Sequence, residues 1–154
     1  GKSTFAKKLS KITGIDLIYL DLIWNKSDKT TISREDFNRI LGEIIKKESY
    51  IIDGNYQRTL EIRLQNCDTV FLLDYDTSVC LEGAEKRIGT KREDMPWCED
   101  ELNKELREKI INFKENNLKD IYILLNKYQE LNTIIFKNRE ESEIYLKKLE
   151  KNKK

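Results

Sequence analysis

The chain has 154 residues, and its 29 lysines and arginines nearly cancel its 28 aspartates and glutamates. That length suits a single hydrophobic core, and the near-neutral balance excludes a global basic field, so direct nucleic-acid binding gains no support from charge. With no histidine and only three cysteines, none in a Cys-x-x-Cys pair, a zinc site lacks ligands and a His-activated nucleophile is impossible. No apolar run approaches the roughly 20 residues of a membrane span. These features lead us to expect a soluble, cytoplasmic protein with reduced thiols and a single domain over 1–150.

The chain starts on Gly1-Lys2-Ser3-Thr4, the closing corner of the phosphate-binding pattern G-x-x-x-x-G-K-[ST]. The spacing predicts a helix over 3–13, with Phe5, Leu9 and Ile12 on one face and Gly14 to end it. Leu17 to Leu20 form an apolar run that reads as a strand closing at Asp21, and Trp24 follows three residues later. Ser33 is placed as the N-cap of a helix whose stripe is Phe37, Ile40, Leu41, Ile44 and Ile45. A second strand over 50–52 ends at Asp53-Gly54-Asn55, and a helix over 57–65 precedes a third strand over 69–73 that ends at Asp74. Ser78 is expected to cap a helix reaching Arg87. A charged loop over 89–97 holds the only proline, Pro96. Two amphipathic helices over 99–117 and up to 129, a strand over 133–136 and a last helix complete the chain, with 151–154 expected to fray. Apolar strands alternating with helices specify an α/β fold with a parallel sheet covered on both faces.

Ligands of such sheets bind beyond the carboxyl ends of the strands. On the P-loop reading, Gly1, Lys2, Ser3 and Thr4 bind the phosphates of ATP. The Lys2 ammonium lies against the β- and γ-phosphates, and the Ser3 hydroxyl coordinates Mg²⁺. The alternative is a chance match in a lysine-rich chain. Asp53 is the candidate second Mg²⁺ anchor, acting through water, or else a turn carboxylate; Asp74 competes for that role, or caps a loop. Asp21 could hold an acceptor hydroxyl or take its proton, or simply end a strand. Trp24 could stack on an acceptor ring or fill core. Arg58, Arg63, Arg87 and Arg92 stand near these ends. Arg58 and Arg63 suit the acceptor, while Lys86-Arg87 and Lys91-Arg92 bracket the Gly89 loop of a short lid over 86–98, or form a solvated surface. The catalytic set is then Lys2, Asp21, Arg58, Arg87 and Arg92.

With these residues placed, the chain resembles nearly end to end the adenylate-kinase-like P-loop family known as DNA topology modulation proteins. Gly1-Lys2-Ser3-Thr4 matches the tail of the family motif, and 17–21 with Trp24 resembles its strand-then-D-x-x-(F/W) segment. Ile51-Ile52-Asp53-Gly54-Asn55-Tyr56, with Arg58-Thr59-Leu60 and Arg63-Leu64, is the most specific stretch. It is similar to the D-G-F-P-R segment of adenylate kinases with one residue inserted. Segments 68–74 and Arg92-Glu93-Asp94-Met95 with Cys98 continue the match. The resemblance implies a three-layer P-loop NTPase fold, ATP and Mg²⁺ as cofactors, and phosphoryl transfer. In the family's strand order the first, central strand is missing from this chain, between the strands ending at Asp53 and Asp74. The expectation is that about 8–12 upstream residues belong to the functional protein, and that the 154-residue chain alone binds ATP poorly.

Three functions are compatible with this reading. The leading one is an Mg²⁺-dependent phosphotransferase acting on a small phosphoryl acceptor such as a nucleoside, nucleotide or hydroxylated metabolite. The others are a non-catalytic ATP-binding regulator linked to DNA topology and an inactive, N-terminally truncated fragment.

Overall fold

The first helix, α1 (Lys2–Thr13), starts on Gly1 as N-cap and buries Phe5, Ala6 and Leu9. Gly14 ends it at φ 74°, the left-handed cap conformation in which a Cβ is strained, and its N–H returns to the Ser10 carbonyl. The structure, a computed structural model, describes residues 1–153. Strand β1 (Leu17–Tyr19) stops one residue earlier than the sequence predicts, because Leu20 already belongs to the short helix α2 (Leu20–Trp24). Leu20 is wholly buried, so the chain turns inward there, and Asp21 lies on a helix rather than at a strand end. Helix α3 (Arg34–Ile44) has the predicted cap: Ser33 Oγ accepts from the Asp36 N–H at 3.0 Å. Its buried face is Phe37, Leu41 and Ile44.

Strand β2 (Ile51–Asp53) pairs in parallel with β1, which sets Tyr19 opposite Asp53. A single 3₁₀ turn (Gln57–Thr59) leads into α4 (Leu60–Gln65), and β3 (Thr69–Leu73) has the predicted bounds. Helix α5 (Thr77–Lys86) takes Asp76 rather than Ser78 as its N-cap residue. Helix α6 (Lys104–Phe113) begins five residues later than expected, where the Asn103 side chain accepts from the Leu106 N–H at 2.8 Å. A π-helical turn (Lys114–Leu118) carries it without a break into α7 (Lys119–Lys127), so the two predicted helices form one irregular helical run. Strand β4 (Asn132–Phe136) pairs in parallel with β3 over five residues. The tail expected to fray is helical instead: α8 (Arg139–Lys153) runs through 151–153, and Lys154 lies outside the described residues. The Lys153 ammonium donates to the Ile12 carbonyl, a tie that holds this end of the helix.

The fold is α/β with parallel strand pairing, as the apolar strands require. The finer expectation is not met. The described residues form two separate two-stranded parallel sheets, β1–β2 and β3–β4, rather than three layers around one sheet with a central strand position. Apolar composition selects parallel βα crossovers but does not specify which strands become neighbours. With two strands per sheet every strand is an edge, so most strand residues are half-buried rather than covered on both faces.

The expected single domain over 1–150 is arranged as two compact units. Unit 1 contains Gly1–Tyr56, Lys91–Cys98 and the segment from Ser142 onward; unit 2 contains Gln57–Thr90 and Glu99–Glu141. The predicted lid over 86–98 is thereby divided between them. The core of unit 1 is Leu20, Phe37 and Leu41, with Trp24, Ile52 and Tyr56 packed against it. That of unit 2 is Leu64, Ile121 and Leu125, with Val70, Leu72 and Phe113 around it. Among the described residues no helix is long and apolar enough to cross a membrane.

Gly54 fixes the approach of β2 to α2. Its φ is +156°, and a Cβ there would stand 2.8 Å from Leu20 Cβ and Cδ1. The substitution Gly54→Ala is therefore expected to cost about 2–4 kcal/mol, combining backbone strain with overpacking. Gly42→Ala, where the added Cβ meets nothing within 4 Å, should instead gain about 0.5–1 kcal/mol inside α3. Urea unfolding of the two variants checks both signs.

Candidate active site

Asp53 is the last residue of β2, and its side chain is only 4% exposed. Both carboxylate oxygens are occupied. Lys2 Nζ donates to Oδ1 at 2.6 Å and Ser3 Oγ donates to Oδ2 at 2.6 Å. Lys2 and Ser3 are the first two residues of α1, where the unpaired N–H groups and the helix dipole favour an anion. The parallel register of β1 and β2 thus carries a buried carboxylate to the start of a helix that supplies an ammonium and a hydroxyl. Lys2 keeps half of its side chain in solvent, so it can turn from Asp53 to another anion without leaving a cavity. Thr4 lies exposed on the same helix.

A second carboxylate meets the same hydroxyl. Asp94, from the 91–98 segment of unit 1, places Oδ2 at 3.2 Å from Ser3 Oγ. Arg92 forks onto it, with Nε to Oδ1 at 2.9 Å and Nη2 to Oδ2 at 2.6 Å. The side chains of Arg92 and Asp94 are 15% and 8% exposed. Burial by itself would raise the Asp94 carboxyl, but the hydrogen bonds and charge of Arg92, helped by Ser3, outweigh it and hold the group below its ordinary range. The neighbouring Lys7–Glu93 pair, at 2.7 Å, has both side chains well exposed and adds little.

Asp21 is engaged elsewhere in unit 1. The Tyr56 hydroxyl donates to its Oδ1 at 2.6 Å. Burial, then the Asp21 bond, pushes the Tyr56 phenol far above its usual value, so it stays a neutral donor. Trp24 packs edge-on against Phe37 and Tyr56, with ring centroids 5.6 and 6.2 Å away, which places it in the core cluster.

The remaining sequence candidates belong to unit 2. Arg58 lies exposed in the 3₁₀ turn, Arg63 half-buried on α4, and Arg87 is the C-cap residue of α5. Asp74, the rival metal anchor, is held by Tyr122 at 2.7 Å and Lys137 at 2.5 Å, with Lys114 at 4.0 Å. Burial alone would raise it, yet these partners hold it below its ordinary value, and Lys137 is correspondingly raised. It ties the end of β3 to α7 and to the residue after β4. Of the proposed site residues, then, the fold gathers Lys2, Ser3, Asp53 and Arg92 in one cluster. Asp94 and Tyr56 had no assigned role in the sequence reading. The Arg92-x-Asp94 spacing was the one available signal for Asp94, and nothing pointed to Tyr56 beyond its place after Asp53.

Three oxygens converge here: Ser3 Oγ and one from each of Asp53 and Asp94. Among the described residues no group of three or more His, Cys, Asp or Glu side chains is set to hold a metal ion. Mg²⁺, however, takes few carboxylates and keeps several waters, so a hydroxyl with a buried strand-end carboxylate is a donor set that fits it. Comparison with family models, curated proteins and solved structures finds no match for this chain.

The depressed Asp94 carboxyl has a pH consequence. A carboxyl lowered on folding contributes stability above its unfolded value, near 3.8, and loses it as pH falls through the folded value. Wild type should therefore lose more stability between pH 5 and pH 2 than Asp94→Asn, as read from urea midpoints. Equal losses in the two proteins would remove Asp94 from this account.

Proposed function

We propose that the start of α1 is a nucleotide phosphate site, and that the protein is an Mg²⁺-dependent phosphotransferase of the P-loop kinase type, acting in the cytoplasm on a small acceptor. The observation that carries this reading is the convergence of Lys2 and Ser3, adjacent residues at a helix start, on the buried carboxylate of Asp53 at the end of a parallel strand. Transfer of a phosphoryl group needs charge neutralisation and positioning more than covalent chemistry. An ammonium and a hydroxyl at a helix start and a carboxylate at a strand end supply groups of that kind.

On this reading Lys2 exchanges Asp53 for phosphate oxygens when nucleotide enters, and the α1 N–H groups receive the same anion. Ser3 Oγ and Asp53 would hold Mg²⁺, which when bound neutralises charge on the transferring phosphate. Asp21 accepts from Tyr56, so its carboxylate is oriented, and it is the candidate to hold or deprotonate the acceptor hydroxyl. Arg92 serves the transferring phosphate, whereas Arg58, Arg63 and Arg87 lie in unit 2.

ATP consumption by the complete natural polypeptide, measured across nucleosides, nucleotides and hydroxylated metabolites, tests this. At least one acceptor should stimulate turnover. Asp21→Asn should then lower that turnover about 10²–10⁴-fold while leaving ATP affinity nearly unchanged. Firm ATP binding without turnover on any acceptor would instead favour a nucleotide-responsive regulator.

A further inference from the structure

We propose that Asp94 is the positioning residue of this site: its carboxylate fixes the Arg92 guanidinium next to Ser3, where the terminal phosphate of a bound nucleotide lies. The inference rests on the phosphate-site reading above and adds to it a residue that reading does not contain.

The geometry is a chain of three groups. Arg92 forks onto Asp94 through Nε and Nη2 at 2.9 and 2.6 Å, which sets the plane of the guanidinium as well as its position. The oxygen that receives Nη2 is the one 3.2 Å from Ser3 Oγ, so the fork stands two hydrogen bonds from the hydroxyl at the helix start. Both members are largely withdrawn from water, at 15% and 8% exposure, where a carboxylate holds its place only with a partner. A solvated surface arginine has neither property.

The Ser3 hydroxyl has one proton and two carboxylates within reach. Its bond to Asp53 is the shorter, 2.6 Å against 3.2 Å, so the contact to Asp94 is the one that yields when phosphate arrives. The fork does not depend on that proton and survives the exchange. A guanidinium is planar and permanently charged, a geometry that suits phosphate oxygens as well as a carboxylate. The Lys7–Glu93 pair of the same segment is exposed, so it restrains that segment less than the buried fork does.

The experiment is a titration of the complete natural polypeptide with a fluorescent ATP analogue and Mg²⁺, applied to Lys2→Ala, Arg92→Ala, Asp94→Ala and the Arg92→Ala/Asp94→Ala double variant. Arg92→Ala and Asp94→Ala should each weaken binding about tenfold, and the double variant should be no weaker than either single, because the two side chains act as one unit. Asp94→Asn, which keeps one acceptor oxygen for the guanidinium, should fall between wild type and Asp94→Ala, and it carries the test if the alanine variant does not fold. Additive losses near a hundredfold, or unchanged or tighter binding by Asp94→Ala while Lys2→Ala weakens it, would overturn the role of Asp94 and leave the phosphate site standing. No nucleotide binding, or binding indifferent to Lys2→Ala, would overturn both.

Discussion

The buried carboxylate of Asp53 is the constraint on which unit 1 is organised. Withdrawing a carboxylate from water costs several kcal/mol unless charge and hydrogen bonds replace the lost hydration. Here the replacements come from two consecutive residues of α1, one per oxygen. Their reach depends on β2 ending at the right height, which the β1–β2 register sets, and on Gly54, which lets the chain after Asp53 pass against the fully buried Leu20. Core packing and site geometry are therefore linked: the Leu20 cluster that folds the unit also places the carboxylate.

A comparison with Asp74 shows why position alone does not make a site. Both aspartates stand at or just past the end of a parallel strand and both have side chains 7% exposed or less. Asp74 is satisfied by Tyr122 and Lys137, and its bonds fasten unit 2 together. Asp53 is satisfied by a half-exposed lysine and a serine at a helix N-terminus, an environment already suited to anions. The partners, rather than the carboxylates, distinguish a structural tie from a candidate binding site. Asp94 extends the same logic, since it joins Ser3 on one side to a forked arginine on the other.

Much of the local structure was legible in the sequence because it depends on short-range signals. Gly14 as a helix terminator, Ser33 as an N-cap and the apolar run of β3 were all readable, and each rests on chemistry within a few residues. The misses have tertiary causes. Leu20 reads as strand because its apolar character fits one equally well; only its complete burial shows that the chain turns there into α2. Continuous apolar strands announced parallel pairing, yet strand neighbours are chosen by long-range packing, and two two-stranded sheets resulted. Lys2, Ser3 and Asp53 could be grouped from motif and strand-end position. The pairing of Asp94 with Ser3 across 91 residues, and of Tyr56 with Asp21 across 35, left almost no local trace.

The central claim is that Lys2, Ser3 and Asp53 surround a phosphate. The most direct measurement is a crystal structure of the complete natural polypeptide with a non-hydrolysable ATP analogue and Mg²⁺. The account requires the β- and γ-phosphates at the N-terminus of α1, with the Lys2 ammonium transferred from Asp53 to phosphate oxygen and Ser3 Oγ on the metal. Nucleotide bound elsewhere, with the Lys2–Asp53 ion pair intact, would contradict it.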